Sequence, residues 1–249
     1  MTTDQDWQIL GRRDPYFGVL TDERFRRDRM TPEVLEAFFR TGREEAAALV
    51  ADSRKHLGEV STSRTLEFGC GVGRLLIPFA ELSEYSVGID ISDAMRQEAA
   101  SNCSRFNCRN VKFVRSLDEL GDSETFTFIY SYIVLQHIAT RRGLDVVDAL
   151  LNRLEKGGCA ALHVTYGHAK YMQTLGVAPW HRRSILRRIR QPFSQWLRRL
   201  RGREPKMQMN AYPLNRLFFL VQKHGIHSGG FRYTNHYGHF GLILFLKRE

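Results

Sequence analysis

Thr65-Leu66-Glu67-Phe68-Gly69-Cys70-Gly71-Val72-Gly73-Arg74 is the stretch from which the fold of this chain can be read. A short apolar run carries an acid, and three glycines follow at alternate positions. Leu75, Leu76, Phe79 and Ala80 then recur at helical spacing. The pattern predicts a strand, a glycine turn and a helix. Glycine permits positive φ and lets a ligand come close to the main chain. The helix start behind it offers free N–H groups and the positive end of a dipole to an anionic group. Val87-Gly88-Ile89-Asp90 reads as a second strand closing on an acid, 21 positions after Gly69. In doubly wound sheets an acid at that point binds ribose hydroxyls.

Two ligand classes use such a turn, a nicotinamide dinucleotide and S-adenosylmethionine (SAM). The dinucleotide fingerprint requires glycine at the sixth position of G-x-G-x-x-G. That position holds Arg74, and the third glycine falls one residue early. Glu67 would repel a pyrophosphate but suits a ligand with an ammonium group, and SAM carries both an α-ammonium and a carboxylate. The stretch resembles the first motif of the class I SAM-dependent methyltransferases, acid-x-G-x-G-x-G. The resemblance covers residues 60–166 well and the C-terminal hairpin loosely. It implies SAM as cofactor, with Glu67 and Gly69 at the ammonium, Gly71 and Gly73 near the methionine portion, Asp90 on the ribose and Ile91 against adenine. Leu117 stands where many relatives carry an acid beside the adenine amine, so either its backbone N–H or Asp118 would read that edge. Ser131, at the end of strand four, completes the expected cofactor-binding set.

From Leu66 onward strands and helices alternate. Strands are expected near 64–68, 86–90, 111–115, 126–131 and 159–165, and helices near 73–82, 92–105 and 140–155. Such alternation predicts a parallel sheet with right-handed crossovers. Upstream, Thr31-Pro32-Glu33 is a helix start, and a second helix is expected over 43–57, ending at Gly58. Residues 4–30 read as an irregular arm. In the family such an arm covers the cofactor, which makes Tyr16 and Phe17 candidates for that place. Downstream, Pro213-Leu214-Asn215 restarts a helix. Ile226–Thr234 and Phe240–Lys247 follow as closely linked strands, hence an antiparallel hairpin. With the resemblance, this gives one α/β domain over 1–249, a doubly wound Rossmann-like seven-stranded sheet of order 3-2-1-4-5-7-6 with strand seven antiparallel. Its parts are an N-terminal arm and helices (1–58), a SAM-binding core (59–166), a basic insertion (167–211) and the C-terminal helix and hairpin (212–249).

The end of strand four sorts acceptor classes. The Asp/Asn-Pro-Pro-aromatic run of nucleic-acid amine methylases is absent, and Ser131 is not the metal-binding aspartate of catechol-type enzymes. Cys159 lies at the wrong end of its strand for base 5-carbon chemistry, and Thr127 stands where relatives often have aspartate. No metal site is expected. What remains is metal-independent O-methylation of a small-molecule, sugar or lipid-linked acceptor. N- or RNA methylation, or a catalytically silent binding module, are the alternatives. A hydroxyl acceptor needs a base, and positioned bases contribute about 10²–10⁴-fold. His137, directly after strand four, and His236, in the final hairpin, are the candidates; His168 and His239 share that end of the sheet. His137 reads more readily as a residue that caps or orients the following helix. His163, inside a buried strand, reads as a hydrogen-bonded core histidine.

The net charge is +10, and nine of those charges lie between His181 and Met207, where ten basic residues face a single acid, Glu204. Ile185, Leu186, Ile189, Phe193, Trp196, Leu197 and Leu200 recur there at helical spacing. A cationic stretch with such a stripe suits an anionic membrane surface or a phosphate-bearing substrate, or forms a lid with solvated arginines. Nucleic acid is the less favoured partner. No run of 18 apolar residues exists, and the acidic, polar start argues against a signal peptide. A cytoplasmic protein, able to lie peripherally on a membrane, is the expectation. The four cysteines lack the partners that zinc spacing requires and read as reduced thiols.

Overall fold

A computed structural model describes residues 3–174 and 207–249. The strands are β1 (Arg64–Phe68), β2 (Tyr85–Ile89), β3 (Val111–Val114), β4 (Phe126–Ser131), β5 (Leu154–His168), β6 (Ser228–His236) and β7 (His239–Lys247). They form one sheet of order β3-β2-β1-β4-β5-β7-β6. β1 to β5 run parallel, and β7 lies antiparallel to both β5 and β6. The order and orientation are those expected.

Alternate side chains divide the core between two faces, as strand geometry requires. Leu66, Ile129, Leu162 and Leu244 point to one face. They pack there against Val147 and Leu151 of α6 (Thr140–Asn152) and Leu217 of α7 (Leu214–Lys223). Phe128, Tyr130, Ala161 and Phe245 point to the other, against Ala46 and Leu49 of α3 (Pro32–Leu57) and Phe79 of α4 (Leu76–Glu81). α5 (Asp93–Arg105) packs on that second face further along the sheet. The arm is more ordered than its composition suggests. It forms α1 (Thr3–Arg13) and α2 (Pro15–Val19), which pack on α5.

Three boundaries differ from the sequence reading, each for a physical reason. α3 is one helix rather than two, capped by Thr31, whose hydroxyl accepts from the Val34 N–H, and closed at Gly58. It runs through Gly42 because the chain there meets the backbone of Arg74, and a Cβ at Gly42 would lie 2.0 Å from the Arg74 carbonyl oxygen. α6 ends at Asn152, and β5 begins at Leu154, paired with Phe126. β5 runs on through Gly157, at φ 76°, with the Gly157 N–H donating to the Arg248 carbonyl. The final hairpin turns through two residues only. Tyr237 (φ 52°) and Gly238 (φ 84°) are both left-handed, as a two-residue turn matched to strand twist demands.

The basic stretch 181–206 and its apolar stripe lie outside the described residues. No helix among those described is long and apolar enough to cross a membrane.

Candidate active site

A cavity of about 360 Å³ opens beyond the carboxyl ends of β1, β2 and β4. The glycine turn forms its floor. Gly69 and Gly71 are left-handed, at φ 81° and 52°. A Cβ at Gly69 would meet the Val134 methyls at 2.4–2.5 Å, and one at Gly71 would meet a Val19 methyl at 2.6 Å. No side chain larger than hydrogen fits either place. Gly73 (φ 87°) turns the chain toward α4 but does not line the cavity.

Glu67 faces the cavity from β1. It is 4% exposed, and its Oε2 has no hydrogen-bond partner; the hydroxyl of neighbouring Tyr130 is likewise buried and unpartnered. Burial pushes the Glu67 carboxyl up to about 8, with Arg74 opposing and Asp90 adding to the shift. Asp90 also lines the cavity. Its two carboxylate oxygens accept from the Gly71 N–H at 2.9 Å and the Ser92 N–H at 2.8 Å. This locks the acid to the glycine turn and leaves further lone pairs free for a ligand's hydroxyls. Burial raises its pKa against those two N–H groups. Ile91 and Leu117 supply apolar wall, with Ser116 and Asp118 beside Leu117.

Ser131 is elsewhere. Its hydroxyl donates to the Phe68 carbonyl at 2.9 Å, tying the ends of β4 and β1 together behind the cavity. Thr127 serves the opposite end of the sheet, where its hydroxyl accepts from the Arg64 N–H at 3.0 Å and donates to the Arg64 carbonyl at 3.1 Å.

His137 lines the cavity and is 7% exposed. Its Nδ1 lies 2.7 Å from the Gln208 carbonyl, which can only accept, so Nδ1 carries the proton. Its Nε2 lone pair faces the Gln136 amide nitrogen at 3.3 Å, and the Gln136 Oε1 accepts from Thr165. Burial depresses its pKa, which keeps the imidazole neutral. His236 does not line the cavity. Its ring meets those of His163 and Tyr132 edge-on, and its Nε2 is buried without a partner. His163 is the core histidine its strand suggests. Its Nδ1 accepts from the Ile133 N–H at 3.3 Å, and its Nε2 lies 2.8 Å from the Thr234 hydroxyl.

Several cavity residues carry no local sequence signal. Ile133 is left-handed at φ 59°, a conformation that β-branched residues avoid; the His163 bond holds it there and sets Val134 against Gly69. The roof comes from the arm, but through Trp7, Gly18 and Val19 rather than Tyr16 and Phe17. Tyr16 is buried among Phe25, Phe38 and Phe39 and donates to Glu98 at 2.6 Å, whereas Phe17 lies under the Arg26 guanidinium. Trp7 meets His137 edge-on, with ring centroids 5.2 Å apart. α1 is latched by Gln8, which donates to the Ile91 carbonyl and accepts from the Asp93 N–H, and by an Asp4–Arg142 ion pair at 2.6 Å. The four cysteines are free, and no cluster able to hold a metal occurs among the described residues.

Residues 66–160 match the family described as a methyltransferase domain. No curated protein matches the chain. Among solved structures, the magnesium protoporphyrin IX methyltransferase of Synechocystis PCC 6803 with bound SAM aligns over 98% of this chain and 97% of its own, with 19% identity and a TM-score of 0.57. The N-methyltransferase NodS of Bradyrhizobium japonicum WM9, in complex with S-adenosyl-L-homocysteine, aligns over 100% and 99%, with 14% identity and a TM-score of 0.60. A SAM-dependent methyltransferase of Clostridium acetobutylicum ATCC 824 aligns over 82% and 91%, with 10% identity and a TM-score of 0.57. At these identities the likeness is one of fold.

Proposed function

We propose that this chain, whose residues 66–160 match a methyltransferase domain family, uses SAM to methylate a hydroxyl on a small-molecule, sugar or lipid-linked acceptor. The observation that carries the reading is the unpartnered Oε2 of Glu67, buried in the cavity beside the left-handed glycines. An acid there suits an ammonium-bearing ligand, and Asp90, tied to the same turn, suits a ribose. Gly69 and Gly71 would let the methionine portion approach the main chain, and Ile91 and Leu117 would flank adenine. When bound, SAM supplies a methyl group on a sulfonium, an electrophile that needs no metal.

His137 then acts on the acceptor. Its proton is fixed on Nδ1 by Gln208, so Nε2 is the basic nitrogen, and it takes the hydroxyl proton once the acceptor displaces the Gln136 amide from it. Gln136 holds the ring through that same nitrogen, and Trp7 covers it from the arm. Much of the acceleration in such a transfer comes from alignment, with effective molarities up to about 10⁵–10⁸ M. A small-molecule acceptor agrees with neighbours of this fold whose names specify a porphyrin methyltransferase and an N-methyltransferase. A phosphate or anionic headgroup on the acceptor would suit the basic stretch 181–206.

The test is methyl release over sugar, lipid and amine acceptors with wild type and His137→Ala. Turnover on a hydroxyl acceptor should fall about 10²–10⁴-fold in the variant, while S-adenosylhomocysteine affinity and the melting curve stay near wild type. Unchanged turnover in a folded variant would remove His137 as the base. Turnover confined to amines, which can react from the neutral form, would replace the hydroxyl by a nitrogen acceptor.

A further inference from the structure

His163 is buried inside β5 and does not line the cavity, and neither does Thr234 of β6. β7 lies between those two strands. The His163 ring nevertheless reaches Thr234 across it. The crossing point is Gly241 of β7, which is in register with Thr165 on one side and Thr234 on the other. A Cβ at Gly241 would lie 2.7 Å from the Thr234 hydroxyl and 3.1 Å from the His163 Nε2. Glycine keeps that passage open.

The two ring nitrogens do different things. Nδ1 accepts from the Ile133 N–H at 3.3 Å, so it carries no proton. The proton of the neutral ring is then on Nε2, which donates to the Thr234 hydroxyl at 2.8 Å. Burial, with His236, His137 and Arg232 adding to it, pushes the His163 pKa down to about 3, so the ring stays neutral. Ile133, in turn, is left-handed at φ 59°. A β-branched residue keeps such a conformation only where its surroundings enforce it. It opens the turn after β4, through which Ile133, Val134 and His137 reach the cavity. Thr234 thus sets the tautomer of His163, the tautomer holds Ile133, and Ile133 sets Val134 against Gly69.

Resting on the SAM reading above, we propose that His163, oriented by Thr234, is a positioning residue for the transferase: it holds the turn after β4 in the shape that closes on SAM. The edge strand β6 is thereby coupled to a cavity to whose wall it contributes no residue among those described.

Calorimetry with S-adenosylhomocysteine, beside melting curves, tests this on wild type and three variants. His163→Asn puts an amide oxygen where Nδ1 stands, which keeps the acceptor for Ile133 and gives up Thr234. His163→Gln carries its amide further out, which keeps the reach to Thr234 and leaves the Ile133 N–H unpartnered. His163→Asn should stay within about 3-fold of wild-type affinity, and His163→Gln should lose about 10-fold, the scale of a buried donor left unsatisfied. Thr234→Val removes the acceptor that fixes the tautomer and should lose about 3–10-fold, although Thr234 touches no part of the cavity. A residue that only pins β6 or fills space would give the reverse order, Gln above Asn, or no difference between them, and either result would overturn the assignment. Wild-type affinity in Thr234→Val would overturn it as well, and that variant decides if His163→Gln does not fold. Wild type that holds no S-adenosylhomocysteine would overturn the SAM reading and the assignment with it, whereas wild-type binding with His163→Asn no better than His163→Gln would sink the assignment alone.

Discussion

Glu67 shows how one residue can record a missing partner. Desolvation raises its carboxyl from the ordinary 4.5 to about 8, so in the ligand-free protein it is protonated at neutral pH. Between those two values the folded state binds more protons at this site than the unfolded state. The contribution of Glu67 to stability is therefore present in full below about pH 4.5 and is lost as the pH climbs toward 8. Urea unfolding of the ligand-free protein across that window should show this loss, and Glu67→Gln should flatten it; a variant with the wild-type slope would show that Glu67 is not the group responsible. Glu67 was legible because its partners in the motif are adjacent in sequence: acid, glycines and helix start all fall within ten residues. Arg74 is part of the same stretch, but its partners Thr41 and Tyr132 come from α3 and from beyond β4, and no local pattern announces them. Ser131 shows the reverse. Its place at a strand end suggested a ligand contact, but its hydroxyl is taken up by the Phe68 carbonyl.

At the scale of elements, α3 is informative. Thr41-Gly42-Arg43 reads as a break between two helices, since glycine weakens a helix interior by roughly 0.5–1 kcal/mol relative to alanine. The helix continues because that glycine admits the Arg74 backbone, a contact between segments about thirty residues apart in sequence. Gly42→Ala therefore separates the two accounts by sign. Helix propensity alone would stabilise the protein. Against the 2.0 Å approach, the added methyl should instead destabilise it by about 1–3 kcal/mol, read by chemical denaturation. A gain in stability would mean that α3 and the glycine turn are less tightly joined than described. The arm was less legible than the sheet for the same reason. Its aromatics carry no strict period, and what separates Trp7 in the roof from Tyr16 in the core is packing against α5 and α3. The hairpin was legible in type but not in length, because Tyr237 takes a left-handed conformation that its identity does not advertise.

At the scale of the molecule, a parallel sheet with crossovers follows from alternation, and alternation is written in apolar periodicity, whereas the strand order was implied by the resemblance. The cavity was readable only as a location, beyond the strand ends, and its roof of Trp7, Gly18 and Val19 required the fold. What the assembled parts describe is a pocket whose glycine floor, unpartnered Glu67 and turn-bound Asp90 favour an adenosyl amino acid over a dinucleotide. Isothermal calorimetry of the wild-type protein with S-adenosylhomocysteine and with NADH tests that claim most directly. The account predicts one molecule of S-adenosylhomocysteine bound per chain and no detectable heat with NADH; binding of NADH without S-adenosylhomocysteine would contradict it.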